Sequence, residues 1–214
     1  MFDLDGTLID SEQIWRDVRR DFVTANGGRW HSGAQAAMMG MRTEEWATYI
    51  RDELGVALAP RDIADRVVEG VADRLRDPPI LPGADAALHR LAKEFRLGLA
   101  SSAALPVART VLAATGWKEV FAVAVSADEV RRGKPAPDVY LRALELLDAD
   151  PARTAAVEDS ASGIRSAHAA GLAVVAIPNQ QFPPDADALS LASRIVANLD
   201  GLTVSVIREA TIRP

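Results

Sequence analysis

The chain has 214 residues, no cysteine, 24 Lys and Arg against 30 Asp and Glu, and a formal net charge of −6. That length holds one domain of ordinary size plus a smaller insertion, and the lack of thiols excludes disulfides, thiolate nucleophiles and cysteine-ligated metals. The negative balance, with no basic run, argues against nucleic acid or an anionic membrane as a partner. No apolar stretch is long enough to span a bilayer, and the N-terminus carries neither a basic leader nor an apolar signal segment. A cytoplasmic location is therefore expected by elimination.

In chain order, residues 1–5 read as a strand. Side chains alternate along it, so Asp3 and Asp5 share one side while Leu4 packs, and Gly6 permits a sharp turn just beyond. Two carboxylates facing one small volume repel unless a cation, a shared proton or a reaction calls for them.

Residues 11–79 carry helical rather than strand spacing. Ile14, Val18 and Phe22 form one stripe, ended at Gly27 and Gly28; Trp46, Ile50 and Leu54 form a second, ended at Gly55; Ile63, Val67, Val71 and Leu75 form a third. Linkers near residues 8–11 and 76–82, the latter rich in proline, would make a hinge.

From Arg96 onward short apolar runs alternate with helical patterns, the signature of βαβ units and a parallel sheet. Strands are expected at 96–101, 120–126, 155–159, 173–177 and near 193–196. Helices are expected at 106–115, 137–147 and 163–170, with a last one from about Leu202. With residues 1–5 that makes about six strands.

Ligands bind beyond the carboxyl ends of strands in such sheets. Four polar clusters fall there: Asp3 with Asp5, Ser101 with Ser102, Lys134 in the loop Gly133-Lys134-Pro135-Ala136-Pro137, and Glu158-Asp159-Ser160. They offer carboxylates for a hard cation, hydroxyl and backbone donors for an anion, and one fixed positive charge.

In that order, Asp3-Leu4-Asp5-Gly6-Thr7, Ser101, Lys134 and Glu158-Asp159 resemble the four motifs of the haloacid dehalogenase superfamily. The likeness is to its variant with a helical cap after the first motif, and it covers nearly the whole chain. Glu158-Asp159-Ser160 and the sequence around Lys134 look most like the group containing β-phosphoglucomutase and sugar-phosphate phosphatases. The resemblance implies an α/β fold: a three-layer Rossmann-like core with a parallel sheet, formed by residues 1–10 and 80–214, plus an inserted α-helical cap domain at 11–79.

It also implies roles. Asp3 would be the nucleophile that forms an aspartyl-phosphate, and Asp5 the general acid and base. Magnesium (Mg2+) would be held by Asp3, the Asp5 carbonyl and Asp159, with Glu158 helping directly or through water. Ser101 would hold phosphoryl oxygens with Ser102 as a cap or secondary donor, and Lys134 would neutralise Asp3 and the transferring group. The expected function is magnesium-dependent hydrolysis of a small phosphorylated metabolite, a sugar phosphate in first place, by a monomer or weak homodimer. The alternatives are a β-phosphoglucomutase-type mutase and a non-catalytic phosphometabolite-binding protein.

Blander readings stand beside these. Carboxylates that end strands also cap turns, serines cap helices, and most lysines are solvated. Asp128, Asp138 and Ser160 are read as structural, and Asp10 as a turn residue or hinge. Trp15, Arg16, Arg19, Arg42 and Trp46 are the cap residues that could face a substrate, although the tryptophans read as core and the arginines as solvating the helices. In the mutases a histidine lies where this chain has Trp15, and a Ser-Lys-Asn-type sequence lies where it has Ala103-Ala104-Leu105, which weighs toward hydrolysis. Only Met1 and Phe2 precede Asp3, whereas the resembled family has several apolar residues there. A few natural N-terminal residues are thus expected to be missing from this sequence.

Overall fold

The computed structural model of the chain describes residues 1–212, so the last two residues of the expected 80–214 segment lie outside it. Strands β1 (Leu97–Ser101), β2 (Phe121–Ser126), β3 (Ala155–Glu158), β4 (Ala173–Ala176) and β5 (Arg194–Ile195) run parallel. β1 pairs with β2, and β4 lies between β3 and β5. The first residues of the chain join the two halves, since Phe2 bridges in parallel to both Leu99 and Val157. Phe2 donates its N–H to the Gly98 carbonyl at 2.8 Å, and Asp3 donates to the Val157 carbonyl at 3.1 Å.

The expected strand at 1–5 is shorter than predicted. Beyond Asp3 the N–H groups of Leu8 and Ile9 both turn back to the Leu4 carbonyl, and Gly6 adopts a left-handed φ of 80° that a side chain would strain. The last strand also shrinks, to two exposed residues at the sheet edge.

Alternation along the strands divides the core in two. Leu99, Val157 and Val175 face one apolar cluster, and Ala100, Ala156 and Val174 face another. The second is covered by α7 (Asp138–Leu147) and α8 (Ala161–Ala169), the first by α5 (Ala84–Ala92), α6 (Leu105–Thr115) and α10 (Val204–Thr211). A short α9 (Ala186–Leu189), not predicted, lies between β4 and β5. The result is the helix-sheet-helix arrangement expected of a three-layer α/β protein.

Residues after the first turn form a helical insertion of α1 (Glu12–Ala25), α2 (Ala34–Met38), α3 (Thr43–Asp52) and α4 (Pro60–Arg74). α2 was not predicted. Pro60 opens α4, where a missing N–H costs nothing. α1 turns a different face inward from the expected stripe: Trp15, Val18, Arg19 and Val23 are buried, while Ile14 and Phe22 are only partly covered. The two linkers lie side by side, with Asp10 N–H donating to the Pro79 carbonyl at 2.8 Å and Leu81 N–H to the Leu8 carbonyl at 2.9 Å. Among the described residues no helix is long and apolar enough to cross a membrane.

Candidate active site

The carboxyl ends of the first segment, β1 and β3, with the loop before α7, bring one buried cluster together. Lys134 Nζ lies 2.5 Å from Asp3 Oδ1 and 2.6 Å from Glu158 Oε1, and all three residues are buried. The peptide between Lys134 and Pro135 is cis. Asp3, Glu158 and Asp159 each place a carboxylate oxygen within 4.8 Å of the others.

Each member has its own supports. Glu158 Oε1 also accepts from the Tyr140 hydroxyl at 2.6 Å, and Oε2 from Ser160 Oγ at 3.2 Å. Asp159 accepts from Thr7 Oγ1 and from Asn179 Nδ2, both at 3.1 Å. A Cβ at Gly6 would run into the Asp159 carboxylate, and one at Gly163 into that of Glu158, so both glycines are steric requirements of the site.

Charge in this pocket is unbalanced, with three carboxylates against one ammonium. Burial drives the Asp3 pKa well above the ordinary carboxylate range; Lys134 opposes this, while Glu158 and Asp159 add to it. Asp159 is pushed up to about 7, by burial first and Glu158 second. Burial acts to lower the Lys134 pKa, but Asp3 and Glu158 together outweigh it and hold the ammonium above its usual value. An oxygen-rich, over-negative, buried set of this kind has the donor chemistry that suits a hard divalent cation. Glu158 is already committed to Lys134, Tyr140 and Ser160, which leaves Asp3 and Asp159 the more available ligands.

Asp5 faces elsewhere. Its Oδ1 accepts from Ser11 Oγ and from Trp15 Nε1 at 3.1 Å, and its Oδ2 lies 3.5 Å from Ser101 Oγ. The two aspartates thus stand in different surroundings, Asp3 beside Lys134 and Asp5 among neutral donors. Ser101 also accepts the Ala103 N–H at 3.0 Å. Ser102 does not cap α6, whose cap residue is Ala104 with no side-chain bond; it lines a small cavity with Asp5 instead.

Ser160 caps α8 through Gly163 N–H at 3.0 Å and so joins structural and site roles. Asp138 pairs with Arg132 at 3.0 Å, and Asp128 accepts from Thr43 Oγ1 at 2.7 Å, tying α3 to the core. Arg16 pairs with Asp17 on the surface, and Arg42 donates to the Val130 carbonyl at 2.9 Å. Arg19 does not solvate its helix, being only 5% exposed. Sequence reasoning missed Tyr140, Asn179, Ser11 and Gln35. Tyr140 was detectable as the one hydroxyl on the apolar face of α7, and Asn179 as a polar residue just past β4.

A family model described as haloacid dehalogenase-like hydrolase matches residues 1–177. Protein CbbY of Rhodobacter capsulatus is 36% identical over 194 residues, spanning 84% of this chain and 85% of that protein. Hexitol phosphatase A of Escherichia coli (strain K12) is 31% identical over 223 residues, spanning 96% and 93%. The bifunctional riboflavin kinase/FMN phosphatase of Arabidopsis thaliana is 29% identical over 201 residues, but this chain spans only 52% of its length. Among solved structures, CbbY from Rhodobacter sphaeroides in complex with phosphate superposes with a TM-score of 0.87 at 26% identity, covering 97% of each chain.

Proposed function

The chain belongs to the haloacid dehalogenase-like hydrolases, and on that premise we propose that it hydrolyses a small phosphorylated metabolite, in first place a sugar phosphate, through an aspartyl-phosphate on Asp3. The observation that carries this reading is the division of labour between the two aspartates. Asp3 is locked against Lys134 at 2.5 Å, while Asp5 is held apart by hydroxyl and indole donors. The phosphatase names of several relatives support the same substrate class.

In the first half-reaction an Asp3 carboxylate oxygen attacks phosphorus, the ester P–O bond breaks, and Asp5 gives its proton to the departing oxygen. In the second, Asp5 takes a proton from water, the water oxygen attacks phosphorus, and the bond to Asp3 breaks to release phosphate. Lys134 neutralises Asp3 and the phosphoryl group during transfer, and Ser101 with nearby backbone N–H groups receives the phosphoryl oxygens. Asp3, Asp159 and the Asp5 carbonyl would hold magnesium, with Glu158 acting behind them through Lys134. When bound, the ion supplies the positive charge that this carboxylate-rich pocket lacks. Residues 11–79 serve as the cap, 1–10 and 80–214 as the catalytic core, and the enzyme works in the cytoplasm.

The test is phosphate release from a panel of phosphate esters with magnesium. Asp3→Asn should keep the fold and lose turnover; near wild-type release by that variant would remove Asp3 from its role. Product analysis with β-glucose 1-phosphate separates hydrolysis, which frees phosphate, from a mutase, which yields glucose 6-phosphate.

A further inference from the structure

Asp5 shares its cavity with a second carboxylate, Glu12, and with one cation, Arg19. A pocket of about 60 Å³ between the helical insertion and the core is lined by Asp5, Glu12, Trp15, Arg19 and Gln35, with Ser102 on the core side. The Arg19 guanidinium lies in the angle between two indoles that touch edge-to-face, with its Cζ 4.6 Å from the Trp15 ring centroid and 4.9 Å from that of Trp46. Among the described residues its one hydrogen bond, from Nη1 to Gln35 Oε1, is long at 3.4 Å, and its buried Nε–H has no acceptor. Gln35 in turn donates to Glu12 at 2.9 Å, so the amide is fixed with its oxygen toward the arginine. Arg19 has no ion pair among the described residues.

A buried cation with an unused donor is costly, and two aromatic faces offset only part of that cost. A methionine or leucine would serve the packing of α1 without it. The position of the charge explains its retention. Asp5 is the group that protonates the leaving oxygen, so the leaving group must lie in the cavity that Asp5 and Arg19 both border. The planar fork of a guanidinium matches an anion with paired oxygens.

We propose that Arg19 is a specificity-determining residue that binds a second anionic group, a carboxylate or a second phosphate, on the leaving-group side of the substrate. The preferred substrates are then phosphomonoesters whose alcohol portion carries its own negative charge. The inference rests on the phosphatase reading of this same site, and its test separates the two.

Wild type, Arg19→Met and Arg19→Lys are compared on 3-phosphoglycerate against glycerol 3-phosphate, which differ by a carboxylate, and on ribulose 1,5-bisphosphate against ribulose 5-phosphate, which differ by a phosphate. Wild type should favour the charged member of at least one pair by roughly 100-fold in kcat/KM, and Arg19→Met should erase that ratio, chiefly through KM. The pair that responds identifies the anion. Arg19→Lys should restore part of the ratio, and this variant decides the matter if Arg19→Met does not fold.

Binding of the same compounds to the Asp3→Asn protein, followed by calorimetry with magnesium, gives a readout that needs no turnover. If no ester is hydrolysed yet the charged compound binds tighter through Arg19, the phosphatase reading falls and the anion subsite stands. If esters are hydrolysed without any charge preference, or Arg19→Met weakens both members alike, Arg19 is only a packing residue and the proposal is overturned.

Discussion

The indole Nε1–H of Trp15, on the first helix of the insertion, donates to Asp5 Oδ1 at 3.1 Å, on the same oxygen that accepts from Ser11. Trp15 is at once a core residue, edge-to-face with Trp46, and a tether for the proposed acid-base carboxylate. Trp15→Phe keeps an aromatic ring in the core and deletes the donor. It should lower kcat about tenfold with little change in KM, because a loosened acid is misplaced more in the transition state than in the bound ground state. Steady-state kinetics beside a thermal melt check this, and an unchanged kcat would show that Ser11 and Ser101 suffice to aim Asp5.

Asp5→Asn and Asp5→Ala should each slow turnover of an alkyl phosphate by roughly two to four orders of magnitude, since both proton transfers pass through this side chain. An aryl phosphate such as p-nitrophenyl phosphate leaves without needing a proton, so its first step should suffer much less. Rapid-quench measurement of the phenolate burst against phosphate release would show this split. Equal losses in the first step on both esters would mean that Asp5 does not act as the acid.

Lys134 is the one cation of the buried cluster, flanked by Asp3 and Glu158 and 5.1 Å from the Tyr140 ring centroid. Lys134→Met fills similar volume but strands two carboxylates. Breaking a buried pair in this way costs about 3–5 kcal/mol, and activity should fall by roughly two to three orders of magnitude. The stability loss should shrink as pH is lowered, because protonation removes the stranded charges. Urea melts across pH test this, and a pH-independent loss would point to packing rather than charge.

Much of the sheet could be read from the chain because short apolar runs bounded by glycine and polar residues admit few alternatives: β1, expected at 96–101, spans 97–101, and β3, expected at 155–159, spans 155–158. α2 escaped notice because its five residues lie in a stretch of Gly, Ser and Met without a helical stripe, and α9 because four residues after Pro183-Pro184 carry no period. Asp3, Lys134, Glu158 and Asp159 were findable as polar groups at strand ends, and the structure brings them together. Arg19 stood only as one of five cap residues that could face a substrate, because spacing alone treats a helical arginine as solvated. Only the tertiary packing, which sets it against the adjoining faces of Trp15 and Trp46, shows it buried.

The cluster also makes stability depend on pH and on magnesium together. In the folded, metal-free chain Asp159 is pushed up to about 7 and Asp3 is raised as well, both chiefly by burial. An unfolded aspartate titrates near 3.9, so between about pH 4 and about pH 7 the folded state holds more protons than the unfolded one, and stability falls as pH rises through that window. In the presence of a chelator Tm should therefore drop, by roughly 10 °C, from the acidic end of this range to the neutral end. Excess magnesium near neutral pH should recover most of the drop, since a cation that binds only the folded, ionised cluster stabilises by mass action. Calorimetric scans with chelator and with magnesium make the comparison. A Tm that climbs with pH in chelator would show that Asp3 and Asp159 take up no protons on folding, and one that magnesium leaves unmoved at neutral pH would show that they do not receive the ion.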